Sequence, residues 1–190
     1  IYTTLDPSAQ AHVETVLQTD EFIKTYPDNK DFQAGITLLD TTTGEIKAIG
    51  SGRHKQEVMR GFNFATDIKK QPGSTVKPIL DYGPVIEYEK WSTGKIIVDE
   101  PHTYTNGTPI RNHSRSYEGG VSMRRALARS LNIPAIKALQ EVGTERAQQF
   151  GEGLGIPFEE GPMQEAYGIG GFTTGISTME LAGAYAAFGN

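Results

Sequence analysis

The sequence predicts an α+β fold in which one helix and one hairpin precede a run of helices. Three observations carry this. After Asp6-Pro7, the residues Val13, Val16 and Leu17 recur at helical spacing. Two apolar runs then flank a short turn containing Gly44. From Ser74 onward the pattern is mostly helical, without the strand–helix alternation of a parallel sheet.

Each element has a local cause. Asp6 is a capping residue and Pro7 suits the first helical turn, so a helix starts there and is expected to run to about Thr25, before Tyr26-Pro27. Residues 28–31 read as a loop. Gly35 to Asp40 and Glu45 to Gly50 read as the strands of a hairpin, and residues 51–70 as a long loop. Pro72-Gly73 punctuates the chain, Ser74 can cap a new helix, and Pro78 still falls in its first turn, so a helix is expected to about Tyr88. A looser stretch follows from Lys90 to Gly120, with a strand at Ile96-Ile97-Val98 and a turn at Asn106-Gly107. Helices are expected over 121–130, 135–142 (started by Asn132-Ile133-Pro134) and 144–153, and a final buried helix over 178–188.

Composition excludes several function classes. Lys and Arg number 18 against 23 Asp and Glu, for a net charge of −5, and no basic run is present, so nucleic acid is not an expected partner. No stretch approaches the roughly 18 apolar residues of a membrane span. Without cysteine there is no disulfide, thiol catalysis or Cys-based zinc site, and the four histidines lack metal-site spacing; no cofactor is expected.

Two short motifs carry chemistry. Ser74 and Lys77, at i and i+3, share one helix face. A serine hydroxyl needs a nearby base, and a lysine serves if burial lowers its pKa. A second match, Ser92-Thr93-Gly94-Lys95, leads into a strand and would not share a helix face. Ser130-Leu131-Asn132 adds a hydroxyl able to relay a proton and an amide that both donates and accepts. Either motif alone reads equally well as helix capping.

Together, Ser-x-x-Lys followed by Ser-x-Asn is the signature of the penicillin-recognising serine enzymes. The chain resembles the transpeptidase domain of class A (bifunctional) penicillin-binding proteins along nearly its whole length. Gln71-Pro72-Gly73-Ser74-Thr75-Val76-Lys77-Pro78 matches the nucleophile segment, and Ser122 through Ala135 matches the second motif and its lead-in helix. The hairpin at 38–48, Phe62 to Thr66, and the segment from Gly170-Gly171 to Phe188 are similar to further parts of that domain. The resemblance implies an antiparallel sheet flanked by helices, the penicillin-binding or serine β-lactamase-like fold. Its implied roles are acylation at Ser74, proton acceptance by Lys77, proton relay by Ser130, and substrate-carbonyl binding by Asn132. Asn112, Tyr117 and Gly170 are expected to bind substrate, and Tyr104 and Tyr167 lie in loops that either line the cleft or pack on the core.

The family's third motif, Lys-Thr-Gly, does not occur. The expectation is that the C-terminal strands lie outside this chain, in a partner fragment. Residues 1–31 are expected to be an interdomain segment and 32–190 the N-terminal and central part of the transpeptidase domain. The implied partners are peptidoglycan stem peptides, β-lactams and an upstream glycosyltransferase domain. The implied location is the extracytoplasmic face of the bacterial membrane, anchored by a segment upstream. The alternatives are a DD-carboxypeptidase, a β-lactamase-like hydrolase or an inert peptidoglycan-binding scaffold. Against the best-known β-lactamase class, Leu131 stands where that class has Asp.

Overall fold

The computed structural model describes residues 2–54 and 61–190. They form two compact units, one from residues 1–70, 154–156 and 176–190, the other from 71–153 and 157–175.

In the first unit, helix α1 (Pro7–Gln18) is capped by Asp6, whose carboxylate accepts from the N–H groups of Ser8 and Ala9. It ends earlier than Thr25. Thr19 turns to extended backbone, and its hydroxyl bonds back to the Thr15 carbonyl, offering the chain an alternative to further helix. Strands β1 (Ile36–Leu39) and β2 (Ile46–Gly50) form the expected antiparallel hairpin, with Ile36 opposite Gly50. Asp40 closes the turn by accepting from the N–H groups of Thr42 and Thr43. Val13 and Leu17 of α1 pack with Ala48 of β2 in a small core. The segment expected to be a linker is therefore bound to the hairpin; Asp6 N–H also donates to the Lys47 carbonyl.

The chain's last helix, Thr178–Ala186, packs against β1. Ser177 and Glu180 form a reciprocal capping box, and Lys69 pairs with Glu180 at 2.9 Å. Only Ala184 of this helix is buried, while Tyr185 and Phe188 are 37% and 62% exposed. The expectation of a buried helix is thus corrected: the segment is apolar all round, but its covering is confined to one side.

In the second unit, the segment that carries Ser74 is not one plain α-helix. A 3-10 turn (Gly73–Val76) leads through a π turn (Pro78–Tyr82) into α2 (Gly83–Glu89). Pro78 has no N–H to return to Ser74, so the ladder changes pitch there. Lys77 N–H reaches the Ser74 carbonyl three residues back, and Gly83 N–H reaches the Pro78 carbonyl five back.

Strand β3 (Ile96–Asp99) pairs antiparallel with β6 (Gly119–Ser122), and β4 (His102–Thr103) with β5 (Pro109–Ile110) around the Asn106-Gly107 turn. The helix expected over 121–130 is corrected at its start. Val121 and Ser122 complete β6, and α3 (Met123–Ala128) begins only after Ser122 caps it by accepting from Arg125 N–H. Pairing with a strand some twenty-five residues away overrides the local helical pattern. Helices α4 (Asn132–Val142) and α5 (Thr144–Gly153) follow, then a 3-10 turn at Glu165–Ile169. Seven residues of α4 are buried, among them Ile133, Ile136 and Leu139, and α4 packs against α2, the π turn and β3. Each fully buried Ile or Leu side chain contributes roughly 1.5–3 kcal/mol. The helix that opens with Asn132 is therefore a fixed platform.

Ser177→Ala is expected to cost about 1 kcal/mol through loss of the capping box. A lowered urea midpoint with an unchanged slope checks it.

Candidate active site

In a 3-10 turn the side chains at i and i+3 eclipse, so the turn at Gly73–Val76 stacks Ser74 over Lys77 more directly than an α-helix would. Ser74 is exposed and Lys77 fully buried. Among the described residues, no hydrogen bond links the Ser74 hydroxyl to Lys77. The Lys77 Nζ donates instead to the Ser130 carbonyl (2.7 Å) and to Asn132 Oδ1 (2.7 Å), with Ser130 Oγ at 3.2 Å. The two sequence motifs, more than fifty residues apart, thus meet at one nitrogen.

Two strong acceptors use two N–H bonds. A neutral amine then keeps one tetrahedral position for a lone pair. Burial lowers the Lys77 pKa to about 8, with the Asp81 carboxylate acting in the opposite sense. Asp81 lies four residues on, fully buried, and neither of its oxygens has a hydrogen-bond partner among the described residues. Burial pushes its carboxyl well above the ordinary range, which favours the neutral acid, while Lys77 pulls it back.

Ser130 owes its position to the end of α3. Its N–H reaches the Leu127 carbonyl, and Leu131 N–H reaches the Ala126 carbonyl. These two bonds make a Schellman stop, whose left-handed position glycine usually occupies. Here Ser130 takes it, at φ +54°. Strain of this kind costs of order 1–3 kcal/mol and clusters at functional sites.

Asn132 opens α4, and Leu131 before it offers no capping side chain. The cap comes from Asn112, twenty residues upstream. Its Oδ1 accepts from Asn132 N–H (2.9 Å) and Ile133 N–H (3.3 Å). Its Nδ2 donates to both oxygens of the buried Asp99 and to the Ser116 carbonyl. Asn112 is 2% exposed, and its amide is fully engaged by Asp99, Ser116 and the first residues of α4.

Gly170 is also placed against backbone. At φ +88°, it lies so close to Gly73 that a Cβ there would overlap the Gly73 backbone. It braces the residue before Ser74. Tyr117 is 48% exposed and lines a cavity of about 250 Å³ with Arg111, Asn112 and Arg115. Tyr167 is 4% exposed, stacks on Phe172 and donates to Glu159, so it packs in the core. Tyr104 is half-buried beside the Asn106-Gly107 turn. In the rejected second match, Lys95 closes a turn onto Ser92 and sits over the Trp91 ring.

Sequence reasoning missed Asp81 and Asp99. The signals existed: Asp81 falls at i+4 from Lys77, and Asp99 shares the inward-facing alternation of β3 with Ile97. Among the described residues no cluster of His, Cys, Asp or Glu is placed to hold a metal ion, and no helix is long and apolar enough to cross a membrane.

A helix-borne serine stacked on a buried lysine, which a second serine and an asparagine engage, is the constellation of the serine acyl-enzyme class. The family model described as the penicillin-binding protein transpeptidase domain matches residues 34–190. The chain is 52% identical over its whole length to penicillin-binding protein 1A/1B of Bacillus subtilis, and 38% identical to penicillin-binding protein 1A of Streptococcus pneumoniae. It spans only 20% and 27% of those two relatives. Among solved structures, PonA1 of Mycobacterium tuberculosis in complex with penicillin V aligns with a TM-score of 0.80 at 21% identity, over 98% of this chain and 50% of that one. The chain belongs to the penicillin-binding-protein transpeptidase family, as part of a class A transpeptidase domain.

Substituting Ser130 separates strain from chemistry. Ser130→Gly relieves the left-handed strain and Ser130→Ala keeps it. The glycine variant is expected to be the more stable by about 1 kcal/mol, the reverse of their order inside a helix. Paired thermal melts read the difference.

Proposed function

We propose that this chain carries the acylation machinery of a peptidoglycan DD-transpeptidase, which cross-links stem peptides through a serine acyl-enzyme and is blocked by β-lactams. The observation that supports this best is the convergence of Ser130 and Asn132 on the buried Lys77 amine, beside an exposed Ser74. In this reading Ser74 Oγ attacks the carbonyl carbon of the terminal D-Ala-D-Ala bond, and its proton passes to Lys77 Nζ. The tetrahedral intermediate collapses as the leaving amine takes a proton relayed from Lys77 through Ser130. An amine from a second stem peptide then attacks the Ser74 ester, giving the cross-link and restoring the hydroxyl. A β-lactam enters the same first step, but its amine stays tethered to the acyl group.

Asn132 has its Oδ1 on Lys77 and its Nδ2 on the Arg111 carbonyl. In the proposal it orients the base at rest and turns its amide toward the substrate carbonyl on binding. Tyr117 keeps its role as a substrate-lining residue, and Gly170 acts by bracing Gly73. In the proposal the Lys-Thr-Gly strand, a glycosyltransferase domain and an anchor to the extracytoplasmic face of the membrane belong to the full-length protein.

Intact mass spectrometry of the full-length protein with penicillin is the direct test. A stable adduct that Ser74→Ala lacks is expected; no adduct on the folded wild type would overturn the reading. With an added amino acceptor, transfer rather than hydrolysis separates a transpeptidase from a carboxypeptidase.

The base also predicts a pH profile. Only the neutral amine accepts the Ser74 proton, so the acylation rate constant should rise with pH through about 8 and level off above it. Stopped-flow acylation between pH 6 and 10 reads it; a flat profile would remove Lys77 as the base.

A further inference from the structure

We infer that Asp99 is a positioning residue for the Lys77 amine, acting through Asn112 on Asn132. This goes beyond the four motif residues and rests on the reading that Ser74 is acylated with Lys77 as base.

Asp99 is 1% exposed, at the end of β3. A carboxylate so placed needs strong donors, and it has them. Asn112 Nδ2 donates to both its oxygens at 2.9 Å, and Glu118 N–H donates to Oδ2 at 2.9 Å. These bonds fix which end of the Asn112 amide faces which way. With Nδ2 held by Asp99 and by the Ser116 carbonyl, Oδ1 must point at α4. There it accepts the first two N–H groups of that helix, Asn132 and Ile133. Without Asn112 those donors have no cap, because Leu131 supplies none.

The first residue of the helix so capped is Asn132, whose Oδ1 accepts from Lys77 Nζ at 2.7 Å. The order of contact is Asp99 carboxylate, Asn112 amide, Asn132 backbone, Asn132 side chain, Lys77 amine. No residue in it is more than partly exposed, and every step but the covalent one within Asn132 is a hydrogen bond of defined direction. A neutral residue in place of Asp99 lets the Asn112 amide turn over, presenting Nδ2 to the Asn132 N–H. Two donors then face each other, and the start of α4 must shift.

The groups facing this network are few. Asp81 faces Lys77 from the π turn, and the Ser130 and Asn132 acceptors face it from the α3–α4 junction. Asp99 acts on the buried Tyr82 phenol. Asn132 Oδ1 favours the protonated amine by accepting from it. Displacing that oxygen therefore lowers the Lys77 pKa further and moves the rise of the acylation rate to lower pH.

The experiment is a double-mutant cycle in the full-length protein, with Asp99→Asn and Asn132→Ala, alone and together. The readout is the first-order rate constant of penicillin acylation, which reports on folded molecules whatever their fraction. Asp99→Asn is expected to slow acylation about tenfold and shift the pH rise downward. In the Asn132→Ala background it should change the rate less than twofold, because its route of action is gone. Where Asp99→Asn folds poorly, Asn112→Ser is expected to give the same slowing and the same loss of effect. A lowered melting temperature with the rate constant and pH rise unmoved would overturn the inference and leave Asp99 as a structural residue. An equal tenfold loss in both backgrounds would also overturn it, since Asp99 would then act by another route. If the wild type forms no adduct, the acyl-enzyme reading fails first, and that outcome is distinct from both.

Discussion

The burial of one amine organises the second unit. A lysine taken out of water is unstable as a cation unless acceptors replace the water it lost. Lys77 receives three oxygens, none of them a hydrogen-bonded carboxylate. The nearby acid, Asp81, is itself buried and without a hydrogen-bonding partner among the described residues, so it tends to neutrality rather than to ion pairing. The balance leaves the amine with donors satisfied but its proton loosely held. A salt bridge in the same place would give a cation that is a poor base.

Holding those oxygens in place is costly elsewhere. Ser130 is kept in a backbone region that favours glycine, and α4 opens without a local cap. Both are departures from the most stable local choice. The surrounding structure over-determines them, through the Schellman bonds at the end of α3 and the Asp99–Asn112 pair. Sequences depart from local rules in this way mainly where a site demands it. Gly170 against Gly73 is the same trade in another form: a close backbone approach that steadies the turn carrying Ser74 and leaves no room for a side chain.

What could be read from the sequence divides along range. The hairpin, the start of α1 and the two short motifs were legible, because each is written in residues a few positions apart. The π turn was not, since Pro78 is compatible with an ordinary first turn until the Gly83 bond to its carbonyl is seen. Val121 and Ser122 looked helical because their neighbours are; their strand partners, Ile97 and Ile96, lie some twenty-five residues away. Asn112 was picked out as a substrate contact, not as a helix cap. An asparagine in a polar loop suggests solvent and substrate, and nothing nearby in sequence announces that it caps a helix twenty residues on.

The Schellman stop at Ser130 bears on the order in which the site is built. Its two bonds span three and five residues, so closing it requires almost no chain entropy and can keep pace with helix formation, on a scale of about 0.1–1 μs. The Asn112 cap closes a loop of 20 residues and the Lys77 contacts loops of 53 and 55. The turn carrying Ser130 is thus shaped before Lys77 reaches it. During synthesis, when the Lys77 segment emerges first, the buried amine has no acceptors until α3 and α4 have followed it, and its desolvation becomes favourable only as the last of the three strikes home.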